Sequence, residues 1–183
     1  MTASERGPRP APIPADVVIR PARPADARAF LAHRAVVAAD ERSWRAGPAP
    51  GLAATRRRFH RGWAAEEATI LGVAGSAVVG SIGCVRERDP ANRHVATFGL
   101  AVAPERRREG IGTALVGAAF GWAREVGVEK LLLSVYPTND AAIALYRRFG
   151  FVEEGRLSRQ ARTAYGDVDE ILMAVWVERE DRR

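Results

Sequence analysis

The sequence predicts a single mixed α/β domain in which a mostly antiparallel sheet is flanked by helices. Its 183 residues suit one domain. Apolar residues make up 47% and charged residues 27% of the chain, as in folded proteins. Segments with the apolar period of a strand alternate with segments that have the period of a helix. The domain is expected over residues 16–177, between a flexible proline-rich tail at 1–15 and a charged tail at 178–183.

The first half of the chain is predicted to contain one strand, two helices and a three-stranded meander. Pro21 ends a short β-branched strand at 16–20. Pro24 begins a helix with Asp26 in its first turn, where the helix dipole favours an acid. The other predicted elements are a loop at 45–53, a helix at 55–65 in which Phe59 pairs with Trp63, and antiparallel strands at 69–73, 77–88 and 94–102.

The second half is predicted to alternate helices and strands before a final strand pair. A helix at 112–126 is apolar on nearly every side and must therefore be buried. The continuous apolar run at 131–135 is typical of a central strand. Asn139 caps a further helix that extends to Arg148. Strands beginning at Phe151 and at 169–177 complete the predicted order β-α-α-β-β-β-α-β-α-β-β.

Composition excludes several kinds of site. Cys84 is the only cysteine, so the chain has no intramolecular disulfide and no cysteine-rich zinc site. We interpret Cys84 as a buried strand thiol. The three histidines belong to no metal-binding pair, and we expect no metal cofactor. Without a secretory leader or an apolar run of about 20 residues, the protein is expected in the cytoplasm and not in a membrane.

The net charge of +6 is concentrated in the N-terminal third. Arg56, Arg57, Arg58 and Arg61 form a basic run that could contact nucleic acid. No aromatic side chains alternate with these arginines to stack on bases. We therefore interpret the run as a solvated helix face and do not expect a nucleic-acid partner.

The segment 102–113 carries the chemically informative motif, a strand end followed by a loop rich in arginine and glycine and then by a helix. Gly110 and Gly112 lack Cβ, so the backbone can turn sharply and present free amides at a helix N-terminus, where an anion such as pyrophosphate binds. Arg107 and Arg108 add guanidinium groups suited to phosphate oxygens. Taken alone, the glycine pair also fits a plain tight turn, and the third glycine of a dinucleotide-binding fingerprint is absent.

A second motif lies at 139–151 and makes the interpretation of the first more specific. Together the two segments resemble the GCN5-related N-acetyltransferase (GNAT) family. Arg107-x-x-Gly110-x-Gly112 matches the acetyl-CoA signature of that family, and 139–151 matches its N-x-x-A-x-x-L-Y-x-x-x-G-F helix. The resemblance extends over about 17–177. It implies an enzyme that transfers the acetyl group of acetyl-CoA directly to a primary amine, on a small molecule or a protein N-terminus, in a ternary complex without metal.

The resemblance also implies a cofactor site. The CoA pyrophosphate would lie on the amides of 107–113, and its pantetheine arm would enter a cleft between the strands at 94–102 and 131–135, pairing with main-chain groups as an added strand does. Tyr146 would be the catalytic acid that protonates the departing thiolate. The implied cofactor-binding residues are Leu100, Ala101, Val102, Arg107, Arg108, Glu109, Gly110, Ile111, Gly112, Thr113, Asn139 and Tyr146.

The general base is not evident in the sequence. Many relatives have a glutamate on the strand before the loop, where this chain has Thr97, which cannot accept a proton at neutral pH. We therefore expect a proton path through water that ends at Glu66, Glu67 or a carboxylate near Asp169. His94 has a suitable unperturbed pKa, but we interpret it as a solvent-facing residue at a strand edge.

Acceptor recognition is expected from the loop at 41–54 and the segment at 156–170. The candidate substrate-binding residues are Trp44, Thr97, Tyr165 and Asp167. An alternative remains open, in which the chain is an acyl-CoA-binding sensor or interaction module that uses the same fold without catalysis. The oligomeric state, a homodimer included, also stays open.

Overall fold

The computed structural model describes residues 12–39, 50–164 and 166–177. Its seven strands form one sheet in the order β1-β2-β3-β4-β5-β7-β6. The strands are β1 Val17–Pro21, β2 Glu67–Ala74, β3 Ala77–Arg86, β4 Val95–Val102, β5 Lys130–Val135, β6 Val152–Thr163 and β7 Gly166–Trp176, and the helices are α1 Ala27–Ala38, α2 Leu52–Arg61, α3 Ile111–Val126 and α4 Asp140–Arg148. Fold class and element order are those that the sequence predicts.

The pairing of β4 with β5 positions the site. These two strands form the one parallel pair of the described sheet, and they pair only where 95–97 meets 130–132. Beyond Thr97 and Leu132 the two strands separate. β7 pairs along the other side of β5 from Lys130↔Trp176 to Val135↔Ile171, so the sheet opens at one point only between β4 and β5.

Helices cover the two faces of the sheet unequally. Side chains alternate between the faces along each strand. On one face, here the α3 face, α3 and α4 pack on a large apolar cluster that includes Ile82, Leu131 and Met173. On the other face, the α1 face, α1 and α2 bury a smaller cluster that includes Phe30 and Leu71. Burial of apolar surface on both sides stabilises this three-layer arrangement.

Helix α2 differs from the predicted helix at both ends. It begins at Leu52, so the predicted loop is wrong at 52–53, whereas 45–49 lies outside the described residues. It ends at Arg61 because Gly62 has φ 63°, a left-handed conformation that stops a helix and favours glycine. Trp63 therefore leaves the helix axis, and its Nε1 donates to Glu125 Oε2 at 2.9 Å.

The predicted pairing of Phe59 with Trp63 is consequently wrong. Phe59 packs edge-to-face on Phe30 with ring centroids 5.1 Å apart, in the cluster of the α1 face. Trp63 packs against the cluster of the α3 face. Because the chain turns at Gly62, the aromatic side chains of Phe59 and Trp63 pack on opposite faces of the sheet.

Helix α3 is buried along most, but not all, of its circumference. Leu115, Trp122 and Ala123 are fully enclosed. Gly117 and Gly121 face outward, and a Cβ added at either glycine would have no neighbouring atom within 4 Å. The prediction of complete burial is wrong there because a glycine counts as apolar in a sequence pattern but buries no side chain. No helix in the described parts of the chain has the length and hydrophobicity of a membrane span.

The last strand is longer than predicted. β7 begins at Gly166, ahead of the predicted start at 169, because it forms a hairpin with β6 that reaches Thr163↔Gly166. The register of that hairpin shifts between Leu157 and Ala161. The hairpin carries β7 into the sheet between β5 and the edge strand β6.

Candidate active site

A cleft of about 1160 Å³ opens where β4 and β5 separate. Its walls come from the second half of β4, the loop before α3, the end of β5, helix α4 and the hairpin of β6 with β7. Hydrogen bonding between β4 and β5 stops before this point. The second half of β4 therefore has main-chain groups without β5 partners beside the cleft, as the edge of a sheet has.

The loop between β4 and α3 presents main-chain amides to this cleft. Gly110 has φ 82° and Arg108 has φ 68°, so two residues of the loop are left-handed. Such a turn gathers successive N–H groups into an anion-binding concavity. The first helical hydrogen bond of α3 runs from the Ala114 amide to the Gly110 carbonyl oxygen at 3.0 Å. The amides of 111–113 precede it and have no partner within the helix.

Gly112 brings the backbone of α3 close to the cleft wall. A Cβ at this position would lie 3.3 Å from Leu145 Cδ2, 3.7 Å from Val102 Cγ2 and 3.8 Å from Leu100 Cδ2. Even a single methyl group at this position would be in close contact with the Leu145 side chain. A branched side chain would have to displace these neighbours or enter the cleft.

Arginine side chains make the mouth of the cleft positive. Arg107, Arg108 and Arg148 line it. Arg106 also lines it but binds Asp16 at 3.2 Å and Glu109 at 2.8 Å. Anions are attracted to such a rim, since guanidinium groups offer paired donors to phosphate oxygens.

Two of the predicted cofactor-binding residues do not reach the cleft with their side chains. The Glu109 carboxylate accepts a hydrogen bond from Arg106. Ile111 is 1% exposed and lies in the core against β2 and β3, near Gly72 and Gly80. The other predicted cofactor residues line the cleft; they are Leu100, Ala101, Val102, Arg107, Arg108, Gly110, Gly112, Thr113, Asn139 and Tyr146.

Asn139 caps α4 as the sequence predicts. Its Oδ1 accepts the amide hydrogen of Ala142 at 3.2 Å. The residue also lines the cleft, opposite the loop between β4 and α3. A contact between Asn139 and a cofactor stays a prediction.

Tyr146 on α4 is held in an aromatic cluster at the cleft wall. Its ring lies 5.9 Å from Phe98 and 5.7 Å from Phe151, measured between centroids. The residue is only 6% exposed. Burial raises the pKa of the phenol above its ordinary value of 10. The hydroxyl therefore keeps its proton at neutral pH and can donate it.

Sequence reasoning expected a carboxylate near Asp169 but did not single out its neighbour on β7, Glu170. It is 4% exposed and lines the cleft, close in register to Tyr136 at the end of β5, since Val135 pairs with Ile171. The one signal in the sequence is an acid directly before the apolar run 171–175 of a strand. That signal identifies a cleft residue only when the pairing of β7 with β5 is known.

The predicted substrate-binding residues do not gather at the cleft in the described parts of the chain. Trp44 and Tyr165 lie outside the described residues. Thr97 pairs with Val85 on β3 and is not part of the cleft wall. The Asp167 carboxylate binds two arginines, Arg159 and Arg162, which lower its pKa. A role for these residues in acceptor binding stays a prediction.

Of the predicted ends of a proton path, Glu66, Glu67 and Asp169 itself lie away from the cleft, whereas Glu170, a carboxylate near Asp169, lines it. Glu66 forms an ion pair with Arg93, and Glu67 binds Arg61 at 3.2 Å, both near the beginning of β2. The Asp169 carboxylate accepts the Arg159 amide at 2.8 Å. None of the three carboxylates is part of the cleft wall.

His94 and Cys84 are placed away from any reacting group. His94 is half-buried and stacks on the exposed Trp176 with ring centroids 6.2 Å apart, so its ring is partly open to solvent. Cys84 is buried, as predicted, and burial raises the pKa of its thiol to about 12. A thiol of this pKa stays protonated at neutral pH and is a poor nucleophile.

The arginines of α2 are only partly a solvated face. Arg56, Arg57 and Arg61 are exposed, as predicted. Arg58 instead turns toward the sheet, where it donates to Thr69 Oγ1 at 2.6 Å. The basic run therefore includes one residue that binds the α1 face.

Comparison with known proteins agrees with this geometry. The family model described as "Acetyltransferase (GNAT) family" matches residues 36–151. Ribosomal protein bS18-alanine N-acetyltransferase of Escherichia coli K12 is 38% identical over 78 residues, which are 43% of this chain and 53% of that protein. The chain spans about half or less of the length of the curated relatives that it matches.

Solved structures show the same fold. A GNAT-family acetyltransferase from Streptococcus pneumoniae superimposes with a TM-score of 0.82 at 23% identity, over 88% of this chain and 99% of that one. A phosphinothricin acetyltransferase from Sinorhizobium meliloti in complex with acetyl-CoA superimposes with a TM-score of 0.76 at 22% identity, over 92% of both chains. The matched family model spans more than half of the sequence and includes both motifs, so the chain belongs to the GNAT acetyltransferase family.

Proposed function

We propose that the protein is an acetyl-CoA-dependent N-acetyltransferase that acts on a primary amine by direct transfer. One observation carries the proposal. A single cleft joins the free amides at the start of α3, the half of β4 that has no β5 partner and the buried phenol of Tyr146. These are the groups that a diphosphate, an amide-containing arm and a departing thiolate require.

The pyrophosphate of CoA would bind at the loop between β4 and α3. The amides of 111–113 and the left-handed turn at Arg108 and Gly110 supply donors, and the helix dipole adds to the attraction. Arg107 lies at the same rim. This binding depends on the backbone and on the absence of a side chain at Gly112.

The pantetheine arm would lie beside the second half of β4. Leu100, Ala101 and Val102 line the cleft beyond the last pairing of β4 with β5. The two amide groups of pantetheine can pair with these main-chain groups as an added strand does. A main-chain amide of β4 would also stabilise the negative charge that forms on the thioester oxygen.

The transfer itself is a substitution at the thioester carbon. The neutral amine nitrogen forms a bond to this carbon, and the carbon–sulfur bond then breaks. Tyr146 gives its hydroxyl proton to the departing sulfur, because a phenol held neutral by burial can act as an acid. The amine must lose one proton to another group during the reaction.

The acceptor is a primary amine of a small molecule or of a protein N-terminus. The name of the E. coli relative specifies the alanine of a ribosomal protein, and that of the S. meliloti structure specifies phosphinothricin. These names support the two acceptor classes equally. Residues of the β6–β7 hairpin line the cleft and would contact the acceptor.

The test is an acetyl-transfer assay with purified protein, acetyl-CoA and a set of small amines and N-terminal peptides. We expect release of the CoA thiol together with the mass increase of one acetyl group on at least one amine. Binding of acetyl-CoA without transfer to any amine would favour the alternative, a non-catalytic acyl-CoA sensor. That alternative is kept because Thr97 occupies the position where many relatives have glutamate.

A further inference from the structure

We infer that the Glu170 carboxylate binds the ammonium group of the acceptor and takes its proton. This inference rests on the proposed function and selects one carboxylate near Asp169 as the base, a choice that the sequence alone leaves open. Three observations support it: the position of Glu170 in the sheet, its burial, and the placement of the other acids relative to the cleft.

Glu170 and Tyr146 lie on opposite faces of the sheet. Ile171 and Met173 belong to the cluster of the α3 face, so Glu170 points to the α1 face by the alternation of a strand. Tyr146 packs in the α3-face cluster with Phe98. Glu170 and Tyr146 nevertheless line the same cleft, because the cleft passes through the gap between β4 and β5.

This arrangement separates the two reactants. A cofactor bound at the α3 loop reaches the gap from the side of Tyr146, and an amine that enters from the α1 face meets Glu170 first. Helix α1 contacts β3 and β4, whereas α2 contacts α1 and, through Arg58 and Arg61, strand β2. Neither helix is in substantial contact with β5, β6 or β7, so neither packs on the α1 face at β7, where Glu170 lies.

Burial strengthens the attraction between Glu170 and a cation. The residue is 4% exposed, and a carboxylate in surroundings of low dielectric attracts a positive charge more strongly than one in water. Ser134 and Tyr136 from β5 and Val168 from β7 line the cleft with it. An ammonium group at this point would pair with the Glu170 carboxylate and lie beside these three side chains.

No other acid of the described residues has the same combination of properties. Asp140 also lines the cleft, but it is exposed in the first turn of α4, next to the cap residue Asn139. Glu66, Glu67 and Asp169 are not part of the cleft wall. Glu170 is thus the one buried carboxylate of the described cleft wall.

Protons balance over one turnover. The acceptor ammonium gives one proton to the Glu170 carboxylate, and the neutral amine attacks the thioester carbon. The nitrogen that has attacked still carries one proton more than the amide product, and it loses this proton as the carbon–sulfur bond breaks and sulfur receives the Tyr146 proton. The second nitrogen proton restores the Tyr146 phenol, and protonated Glu170 releases its proton to solvent, so that one turnover releases one proton. No additional reactant is required.

The test compares wild type with Glu170→Gln, which keeps the shape of the side chain and removes its charge. For an alkyl amine, which is protonated at neutral pH, we expect kcat/KM to fall by about 100-fold or more. For an aromatic amine, which is neutral at this pH and needs no base before attack, we expect a loss of less than about tenfold. Calorimetry should give the same acetyl-CoA affinity for both proteins.

Two further variants complete the experiment. Glu153→Gln makes the same chemical change at an exposed position of β6 outside the cleft and should retain wild-type rates. Glu170→Asp keeps the charge and should recover part of the activity toward the alkyl amine, which also keeps the test valid if Glu170→Gln folds poorly.

Each outcome decides between the claims. Equal losses with both amines would mean that Glu170 only maintains structure, and unchanged rates would mean that it has no role; either result overturns the inference but leaves the proposed function intact. Absence of transfer by the wild-type protein, with acetyl-CoA bound, overturns the proposed function and this inference with it.

Discussion

The two faces of the sheet differ in what they bury. Six polar residues are buried in the described parts of the chain, and Thr113 on α3 is the one that belongs to the α3 side. The other five lie on the α1 side; they are His33, Thr55, Thr69, Ser81 and Glu170. One face is therefore an almost purely apolar core, and the other combines a small apolar cluster with hydrogen-bonding groups.

The difference shows how the two halves of the proposed reaction are built. On the α3 face, close apolar packing fixes the start of α3 and the ring of Tyr146, so that backbone amides and one phenol have defined positions. On the α1 face, individual side chains contribute charge and hydrogen bonds. In the proposed reaction, cofactor binding would thus depend on the backbone, and acceptor chemistry on side-chain identity.

The largest expected effect tests the Tyr146 hydroxyl on the apolar face. Tyr146→Phe removes the hydroxyl and keeps the ring in its contacts with Phe98 and Phe151. We expect kcat to fall by about 100-fold, because the thiolate loses its proton donor, whereas acetyl-CoA affinity should change little. Steady-state kinetics and calorimetry on the same preparation measure the two quantities. An unchanged kcat would remove Tyr146 from the mechanism.

A second change tests how tightly the apolar face is packed. A Cβ at Gly80 would lie 2.9 Å from both Ile111 Cγ2 and Leu115 Cδ1, which belong to buried side chains. We expect Gly80→Ala to lower the free energy of unfolding by about 1–3 kcal/mol through overpacking. Urea denaturation measures this loss. As a matched control, Gly117→Ala places a methyl group in open space on α3 and should not destabilise the protein.

The smallest expected effect concerns the polar face and depends on pH. His33 is 4% exposed, its Nε2 lies 3.2 Å from Ser81 Oγ, and its Nδ1 has no hydrogen-bond partner among the described residues. Burial lowers the pKa of His33 from 6.5 to about 4. Between these values the unfolded chain binds a proton that the folded chain does not, so stability decreases as the pH falls.

We expect this histidine to account for about 1–2 kcal/mol of lost stability between pH 7 and pH 5. Urea denaturation at the two pH values should show a smaller decrease for His33→Gln than for wild type. Other titrating groups are common to both proteins and cancel in the comparison. Equal decreases in the two proteins would show that His33 is not the group that titrates.

The backbone-dependent half of the site could be predicted from sequence, and the side-chain-dependent half could not. Gly110, Gly112, Asn139 and Tyr146 belong to two short segments whose local structure follows from glycine conformation and helix capping. These segments also align with a family motif. The fold class and the order of elements follow from the same local patterns.

The sequence indicated a carboxylate near Asp169 but could not single out Glu170, because the position of this residue depends on pairing between strands that are distant in the chain. β7 lies beside β5 although α4 and β6 separate them in the sequence. Nothing local indicates that an acid at the start of an apolar strand will face a cleft. The wrong end of helix α2 has a local cause instead. The apolar pattern of a helix continues past Gly62, but the left-handed conformation of this one residue ends the helix.

Calorimetric titration of acetyl-CoA into wild type, Gly112→Val and Gly121→Ala tests most directly whether the backbone at the start of α3 binds the cofactor. A branched side chain at Gly112 would occupy the contact space at Leu145 and Val102, whereas Gly121 lies on the outer side of the same helix with open space around it. We expect saturable binding to wild type, equal affinity for Gly121→Ala and an affinity at least about tenfold lower for Gly112→Val, a change of about 1.4 kcal/mol or more. Undiminished affinity of a folded Gly112→Val, or absence of binding to the wild-type protein, would contradict a cofactor site built on this backbone.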